Sequence, residues 1–567
     1  GVAPSTAVAA GAGAGGTANP NIVFILCDDV STKLDSAAHM PKLQANIISK
    51  GMTIANSFVA TPVCCPSRSE IYTGKYIHNI GVYNNSAGPG GCSSLDWHYG
   101  PERNNVAWFL QTKLGYTTSF SGKYMNNYGS GEGESQSLPN CLNETAARLS
   151  SGMENTCAQD MSVPRGWDNW QALKGNSVYY NYTLSNNGVD EKHSDVYEDD
   201  YLTDLVKNRS IAFMQEQAAL NKPFFVVAAV PAAHEPSDPA PQYANYGEGL
   251  VAPRTPNFNV AMTDDARHWM IANVNIDGSP MNDTVISFVD LLYRRRLATL
   301  QSVDDLIESF TTTLTDSGVI DNTYMIFTAD NGYHLGQFAI SLDKRQPYET
   351  DVRVPMYIRG PGIAEGSVQS NGFVVNIDLA PTFLAMAGMA TDDIDALAMD
   401  GEPITPLLFN SAPSSSTDNT STDNKDALSR TDFLIEYHGE AWDGCTAYLN
   451  NTYDDIFLDK IHDGVNCGLR GPTSFATAPF WEGTESWSSI QDAANNTYSC
   501  VRSVNTTSDL QYCEWVSGEV EYYDVLADEW QMSNLAPTMD PALQATFHAR
   551  LMELKGCDGR KQCHTTN

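Results

Sequence analysis

Four predicted strands of the sequence end in side chains that could bind a metal ion or move a proton. These side chains are Asp28 and Asp29, then Lys123, then His234, and finally Asp330 with Asn331. A single Asp or Asn at such a place most often makes a helix cap or a turn. Two adjacent carboxylates at a buried strand end repel each other, however, unless a cation lies between them. Because the ligands on offer are oxygens, the sequence predicts a hard cation, Ca²⁺ or Mg²⁺, rather than zinc.

The cysteine doublet at Cys64 and Cys65 is a second place where chemistry is expected. A proline follows the doublet, and Ser67 with Glu70 fits a capping box, so Cys64 is predicted to lie just outside a helix N-terminus. The free N–H groups there, together with the cation Arg68, would favour negative charge and lower the pKa of a thiol. The alternative is that Cys64 forms a disulfide, the commoner use of cysteine in an exported protein.

These four segments are predicted to be β-strands. Their sequences are NIVFILCDD (21–29), YTTSFSGKY (116–124), PFFVVAAVPAAHEP (223–236) and YMIFTADNG (324–332). They alternate with helical patterns, which indicates an α/β fold with a mostly parallel sheet covered by helices. Ligands of open α/β sheets bind outside the carboxyl ends of the strands. We therefore expect the four polar ends to meet in one pocket.

The chain length of 567 residues exceeds what one hydrophobic core usually supports, which predicts a large and a smaller domain. The predicted divisions are a disordered Ala/Gly-rich tail (1–20), a catalytic domain (21–410), a polar linker or surface insertion (411–430) and a smaller C-terminal domain (431–567). The smaller domain should contain a small sheet and a helix. A basic triplet at 294–296 lies on a predicted amphipathic helix and is interpreted as part of a solvated face.

Charge and glycosylation signals limit the partners and the compartment. The formal net charge of −35 argues against a nucleic-acid partner, which would need a basic face. No apolar run approaches the roughly 20 residues of a membrane span. The N-x-S/T acceptor sites are Asn84, Asn143, Asn181, Asn208, Asn282, Asn419, Asn450, Asn495 and Asn505. Their density predicts an N-glycosylated protein that is secreted into an extracellular or periplasmic-type compartment, or held in a lysosome-like one.

The residues C-C-P-S-R at 64–68, followed by T-G-K at 73–75, resemble the signature of the sulfatase family, C-x-P-S-R and then T-G with a basic residue. Other matches come in the family's order. They are Asp28-Asp29, Gly122-Lys123, His234, Asp330-Asn331-Gly332, Lys344, Tyr348-Glu349 and the segment 520–536. The resemblance runs from residue 21 to about residue 540. It implies an alkaline-phosphatase-like fold, with a large mixed sheet between helices and a smaller α+β domain on an antiparallel sheet.

The resemblance also implies a modified nucleophile and a bound cation. In the family the first cysteine of the signature is oxidised to formylglycine, so a formylglycine-generating partner is expected to act on Cys64 during biosynthesis. The hydrate of this aldehyde has one hydroxyl to attack sulfur, which gives a covalent sulfoenzyme, and a second to expel sulfate. The expected ion is Ca²⁺, with Mg²⁺ as the alternative. Its implied ligands are Asp28, Asp29, modified Cys64, Asp330 and Asn331.

The remaining implied roles concern the sulfuryl oxygens and the leaving group. Arg68, Lys123 and Lys344 would stabilise the sulfuryl oxygens, although either lysine could instead hold the diol. His234 would protonate the departing alcohol or phenol. Many sulfatases carry a histidine two residues after the lysine of G-K, where this sequence has Met125. Asn126 or His334 could take over its role or contact substrate.

The stretch GKYMNNYG around Met125 is similar to that of N-acetylglucosamine-6-sulfatases and their endosulfatase relatives, a group that also includes arylsulfatases. The expected activity is hydrolysis of sulfate monoesters of the arylsulfatase type, with an N-acetylglucosamine-6-sulfatase or another carbohydrate sulfatase as the alternative. A phosphatase or phosphonate hydrolase of the same fold is a more remote alternative, since it would prefer a Ser or Thr nucleophile and histidine-rich zinc ligands. The last alternative is a non-enzymatic glycoprotein in which Cys64 is not modified.

The twelve cysteines fit an oxidising compartment. Close spacing nominates the bridges Cys141–Cys157, Cys445–Cys467, Cys500–Cys513 and Cys557–Cys563. With Cys64 modified, eleven cysteines remain, so at least one more must stay unpaired in a monomer. Cys27 is the expected one because it lies inside a buried strand. Cys65 and Cys92 could then form a bridge.

Overall fold

The structure is a computed structural model that describes residues 19–129, 163–262, 268, 280–409, 428, 430–440, 492 and 496–564. Nearly all of the predicted tail and linker lie outside these ranges, and the predicted domain boundaries therefore stay predictions. The bridges Cys141–Cys157 and Cys445–Cys467 lie outside them as well.

A ten-stranded mixed sheet forms the centre of the large part of the chain, with the strand order β11-β2-β10-β9-β1-β8-β4-β5-β6-β7. Its strands are β1 (Asn21–Cys27), β2 (Met52–Ile54), β4 (Thr117–Lys123), β5 (Asn169–Leu173), β6 (Thr183–Asn186), β7 (Val189–Lys192), β8 (Phe224–Ala229), β9 (Thr323–Ala329), β10 (Met356–Arg359) and β11 (Ser367–Gln369). The neighbours from β9 through β5 are all parallel, whereas β10, β6 and β7 pair antiparallel. A short parallel pair joins β3 (Ser57–Phe58) to β12 (Val374–Val375). The predicted mixed, mostly parallel sheet is confirmed.

Helices cover both faces of this sheet. Among the described residues, the α-helices of five or more residues are α1 (Cys64–Thr73), α2 (Leu95–Tyr99), α3 (Val106–Leu114), α4 (Leu202–Ala219), α5 (Asp283–Asp316), α6 (Leu379–Met386), α7 (Thr391–Asp395), α8 (Thr405–Phe409) and α9 (Pro541–Lys555), of which α9 packs against the smaller sheet. Single turns occur at Pro41–Leu43, Ile77–Ile80, Tyr197–Asp200, Glu349–Val352 and Arg560–Cys563. None of the described helices has both the length and the apolarity that crossing a membrane requires.

Side chains of β1 show how the helices on the two faces of the sheet are held against it. Val23 and Ile25 point to one face, where they belong to a buried cluster with residues of α4 and α5. Phe24 and Leu26 point to the other face and pack with residues of α1, α3 and α6. Because successive strand residues alternate between faces, a strand apolar at every position must be covered on both sides. This burial fixes the carboxyl end of β1 deep inside the protein.

A smaller four-stranded antiparallel sheet lies in the C-terminal part, as predicted. Its strands are β13 (Asp432–Tyr437), β14 (Tyr498–Val504), β15 (Asp509–Trp515) and β16 (Val520–Asp524), in that order. Leu551 and Leu554 of α9 are buried in a cluster with this sheet. The same cluster includes Phe58 and Phe373 of the large part, so the two sheets share apolar contacts.

Three disulfides connect described residues. They are Cys65–Cys92, Cys500–Cys513 and Cys557–Cys563. Cys500–Cys513 and Cys557–Cys563 confirm two of the bridges predicted from close spacing. Cys65–Cys92 confirms the pairing that was left for these two cysteines. Cys27 and Cys64 are the free cysteines of the described ranges, and both are buried. The disulfide alternative for Cys64 is therefore not what the structure shows.

Candidate active site and metal centre

The polar strand ends meet, as predicted, where the carboxyl ends of β9, β1, β8 and β4 come together. These four strands are direct neighbours in that order. Asp28 follows β1 and donates its backbone N–H to the carbonyl of Ala232 after β8, at 2.8 Å. Asp330 follows β9 and donates to the carbonyl of Cys27, at 3.1 Å. Parallel pairing thus places the polar ends of separate strands side by side, with both aspartates fully buried.

Helix α1 brings the nucleophile candidate to the same place. It begins at Cys64, and its N-cap Val63 makes no side-chain cap. The predicted capping box is wrong, because both of its side chains have tertiary partners. The Ser67 hydroxyl donates to the carbonyl of Asp330, and Glu70 accepts from Asn376 Nδ2 at 2.8 Å. The helix ends at Gly74, whose φ of 69° suits a residue without Cβ.

The buried carboxyl of Glu70 leads to a prediction on stability. Burial raises its pKa to about 8, against the hydrogen bonds from Asn376 and Thr61. A folded-state pKa above the unfolded value means that this group's stability contribution is complete below about pH 4.5 and is lost as the pH rises through about 8. Glu70→Gln should remove that loss, about 1.4 kcal/mol per pH unit within this window. Urea unfolding at pH 5 and pH 8 checks it, and equal pH dependence of both proteins would contradict it.

The thiol of Cys64 lies 3.6 Å from Asp28 Oδ1 and 3.9 Å from Asp29 Oδ1. Burial raises the pKa of this thiol, and the two carboxylates raise it further, while Lys123 and Lys344 act in the opposite direction. The predicted low thiol pKa is therefore wrong for the encoded cysteine. The helix N-terminus is outweighed because the side chain is fully buried and faces carboxylates.

Three carboxylates lie together where the cation is predicted to bind. Oxygen atoms of Asp28, Asp29 and Asp330 all lie within 4.8 Å of one another. Asn331 adds its side chain, whose Nδ2 donates to Asp29 Oδ1 at 2.7 Å. Its Oδ1 is buried and has no hydrogen-bond partner among the described residues. An orphaned amide oxygen beside converging carboxylates is the oxygen donor set that a hard divalent cation takes, so the residues fit such an ion.

Each of the three carboxylates also has a cationic side chain against it. Lys123 Nζ lies 2.6 Å from Asp28 Oδ2, and Lys344 Nζ lies 2.7 Å from Asp29 Oδ2. Arg68 Nε lies 2.7 Å from Asp330 Oδ2. Burial would raise the carboxyl pKa values, but the lysines hold those of Asp28 and Asp29 below their usual range. Burial and Asp28 raise the pKa of Asp330 to about 7.

His234 occupies the edge of this cluster. Its Nδ1 is 2.6 Å from the carbonyl of Glu235, which can only accept, so Nδ1 carries the hydrogen. Its Nε2 lies 3.9 Å from Asp29 Oδ2 and faces the cluster. Burial lowers the pKa of the imidazole, although the nearby aspartates oppose the change. The ring is thus oriented with Nε2 toward the position where a substrate would meet Cys64.

Arg296 and Ser177 contact the site but were not predicted from the sequence. Arg296 is buried, donates to the carbonyl of Asp29 and donates to the carbonyl of Ala233 at 3.0 Å. The interpretation of the basic triplet as solvated is therefore wrong for Arg296. Helical spacing is the sequence signal that could have indicated the burial of Arg296, since the residues four positions before and four positions after it are core residues of the same helix. The Ser177 hydroxyl donates to Asp28 Oδ2 from the segment after β5.

Asn126 and His334, the two candidates for substrate contact, are both buried. Asn126 donates its backbone N–H to Cys65 Sγ at 2.9 Å, and its side-chain oxygen has no partner among the described residues. His334 Nδ1 lies 2.9 Å from Asp351 Oδ1. The described contacts join neither residue to Asp28, Asp29 or Asp330. Their predicted role in substrate contact stays a prediction.

The family model described as Sulfatase matches residues 20–389. N-acetylglucosamine-6-sulfatase of Homo sapiens is 38% identical over 548 residues, which are 96% of this chain and 86% of that protein. Arylsulfatase of Volvox carteri is 31% identical over 413 residues, 68% of this chain and 58% of that protein.

A solved structure of a protein in complex with its substrate D-glucosamine-2-N,6-O-disulfate shares the fold. Its TM-score is 0.61 at 21% sequence identity, and the match covers 95% of this chain and 97% of that one. At this identity the likeness concerns the architecture, with its large sheet and its smaller C-terminal sheet.

Proposed function

This chain belongs to the sulfatase family, and from that premise we propose that it removes the sulfate from N-acetylglucosamine 6-sulfate or a closely similar sulfated sugar. The observation that carries the proposal is the similarity to the human N-acetylglucosamine-6-sulfatase, which extends over most of both chains. Sulfate ester hydrolysis is common to the family; the sugar and the position of the ester are the proposed part.

The proposed nucleophile is residue 64 after oxidation of its cysteine to formylglycine. The side chain supports this role because it is buried, free of a disulfide and within 3.9 Å of two carboxylates of the cation site. Formylglycine hydrate supplies one hydroxyl to attack sulfur and a second to release sulfate, which an ordinary serine does not have.

The proposed cation is Ca²⁺, held by Asp28, Asp29, Asp330 and Asn331. The support is the convergence of three carboxylates with the orphaned oxygen of Asn331. When bound, the ion supplies positive charge that activates the nucleophile and neutralises the sulfate.

The chain's own cations and His234 complete the proposed mechanism. Lys123, Lys344 and Arg68 surround the carboxylates and can bind the sulfuryl oxygens as negative charge shifts in the transition state. As the imidazolium, His234 carries a hydrogen on each ring nitrogen; the carbonyl of Glu235 binds the one on Nδ1, and the one on Nε2 can pass to the departing sugar oxygen, which leaves the neutral ring. A sugar alkoxide is a poor leaving group, so this proton is needed at neutral pH.

A panel of four esters tests the proposal. N-acetylglucosamine 6-sulfate should be hydrolysed with a kcat/KM at least about tenfold above that of p-nitrophenyl sulfate, which corresponds to about 1.4 kcal/mol of transition-state binding. N-acetylglucosamine 3-sulfate is the control for ester position, and p-nitrophenyl phosphate is the control for the phosphatase alternative. Faster hydrolysis of either control ester would overturn the proposal.

An arylsulfatase is the second candidate, favoured by the similarity to the Volvox carteri enzyme. It predicts the reverse order, with p-nitrophenyl sulfate hydrolysed faster than the sugar sulfate. For either activity we propose an N-glycosylated protein in a secreted or lysosome-like compartment. The three disulfides between described residues and the density of N-x-S/T sites support that location.

A further inference from the structure

The segment that carries Lys344 is held in place by the C-terminal sheet. The carbonyl of Arg345 accepts from the hydroxyl of Tyr498 in β14, at 3.1 Å. The carbonyl of Pro347 accepts from Gln511 Nε2 in β15, at 2.8 Å. On its other side the segment contacts the residues just before the nucleophile, since the backbone N–H of Arg345 donates to the carbonyl of Pro62 at 3.1 Å. The segment therefore lies between the sheet and the residues that precede α1.

Glu440, which follows β13, connects both sides of this arrangement. Its Oε2 lies 3.1 Å from Arg345 NH2, next to Lys344 in the chain. Its Oε1 accepts from the backbone N–H of Asn85 at 2.6 Å. Asn85 Oδ1 in turn accepts from the backbone N–H of Cys65 at 2.9 Å, in the first turn of α1. One carboxylate thus joins the lysine segment to the helix turn that presents the nucleophile.

The contacts of Glu440 are strong because they involve charged groups that are little exposed to solvent. The side chain of Glu440 is 8% exposed and that of Arg345 is 7% exposed. Charge-assisted hydrogen bonds in such surroundings are stronger and shorter than neutral ones. Arg345 is further fixed by Asp343, whose carboxylate accepts from NH1. With Arg345 held at backbone and side chain, the adjacent Lys344 has little freedom to move away from Asp29.

We propose that Glu440 is a positioning residue for sulfate ester hydrolysis, which acts by fixing Lys344 relative to the N-terminal turn of α1. The C-terminal sheet is then part of the catalytic apparatus rather than a separate module. This rests on the proposed function, because Lys344 has a catalytic role only if the site hydrolyses sulfate esters. Glu440 itself touches neither Cys64 nor the three clustered aspartates in the described contacts, so its effect must pass through its neighbours.

A double-mutant cycle on kcat tests the proposal, with p-nitrophenyl sulfate and the sugar sulfate as substrates. Glu440→Gln should lower kcat about 10- to 100-fold, the usual cost of losing an orienting contact, with little change in KM. In a Lys344→Ala background the same change should lower kcat by less than about threefold, since coupled residues are not additive. Glu440→Asp, which keeps the charge but shortens the reach, should lose activity while keeping the native melting temperature.

Asp432→Asn is the matched control, because it removes a partly buried carboxylate at the other end of β13. Asp432 pairs with Arg550 of α9 at 2.8 Å. This variant should lower the melting temperature but keep kcat. Unchanged kcat in Glu440→Gln, or a full loss repeated in the Lys344→Ala background, would overturn the positioning role. If the unaltered protein hydrolyses no sulfate ester, the proposed function fails instead, so the two failures are distinguishable.

Discussion

Replacing Cys64 by alanine is expected to lower kcat for sulfate esters by about 10⁴-fold or more, the usual cost of removing a nucleophile. The side chain is fully buried and lies against the cation-site carboxylates, so no other described nucleophile has the same position. The fold should survive the change, because α1 is anchored by Arg68 and Ser67, both bound to Asp330. Loss of activity would therefore report chemistry rather than unfolding.

Cys27→Ala is the matched control for this experiment. Cys27 is also free and fully buried, and its truncation removes the same atom from the end of β1. Its variant should keep kcat within about threefold and lose only the small stability of a buried methyl-sized group, about 1 kcal/mol. Rates are to be measured with both the sugar sulfate and p-nitrophenyl sulfate, and mass spectrometry of residues 51–68 should show the aldehyde in the unaltered protein. Retention of more than a few per cent of activity in Cys64→Ala would contradict the assigned nucleophile.

The main sheet could be predicted because three of its central strands, β1, β8 and β9, are apolar at nearly every position and are followed by polar residues. Such segments allow few other structures, and parallel pairing then brings their ends together without further information. Asp28, Asp330 and His234 were predicted to meet for this reason, and the structure places them in one cluster. The antiparallel edge strands lack this signal, since they are short and only partly buried.

The failures of sequence reasoning share a physical cause, which is competition between local and tertiary partners. Ser67 and Glu70 have the spacing of a capping box, but α1 begins earlier and their side chains contact Asp330 and Asn376 instead. Arg296 belongs to a basic triplet of the kind that usually lies on a protein surface. In the structure its guanidinium is buried and donates to a backbone carbonyl of the site. No local pattern contains these distant partners, so only the folded chain reveals them.

The thiol of Cys64 illustrates the same limit for electrostatics. A helix N-terminus and Arg68 lower a thiol pKa when considered alone. In the folded protein the thiol is buried and faces Asp28 and Asp29, and these effects reverse the direction of the shift. Sequence motifs thus indicate which residues assemble, whereas the balance of charge at the site depends on distances that the motifs do not contain.

Replacing His234 by alanine should have a large effect that depends on the leaving group. For N-acetylglucosamine 6-sulfate we expect a loss in kcat of about 10²- to 10⁴-fold, the typical contribution of general acid catalysis. For p-nitrophenyl sulfate the loss should be below about tenfold, because nitrophenolate departs without a proton. His234 is assigned this role because of the orientation of its ring, whose Nε2 faces the cluster while Nδ1 is bound to the carbonyl of Glu235.

Lys344→Ala provides the contrast that isolates the proton transfer. Its ammonium group lies 2.7 Å from Asp29 Oδ2 and would act on the sulfuryl oxygens, which both substrates share. Its loss should therefore be similar for the sugar sulfate and for p-nitrophenyl sulfate. The measurement is kcat for both esters in each variant, at one pH and in excess Ca²⁺. Equal losses for the two esters in His234→Ala would show that the imidazole is not the acid, since a group that protonates the leaving oxygen must matter more where that oxygen is more basic.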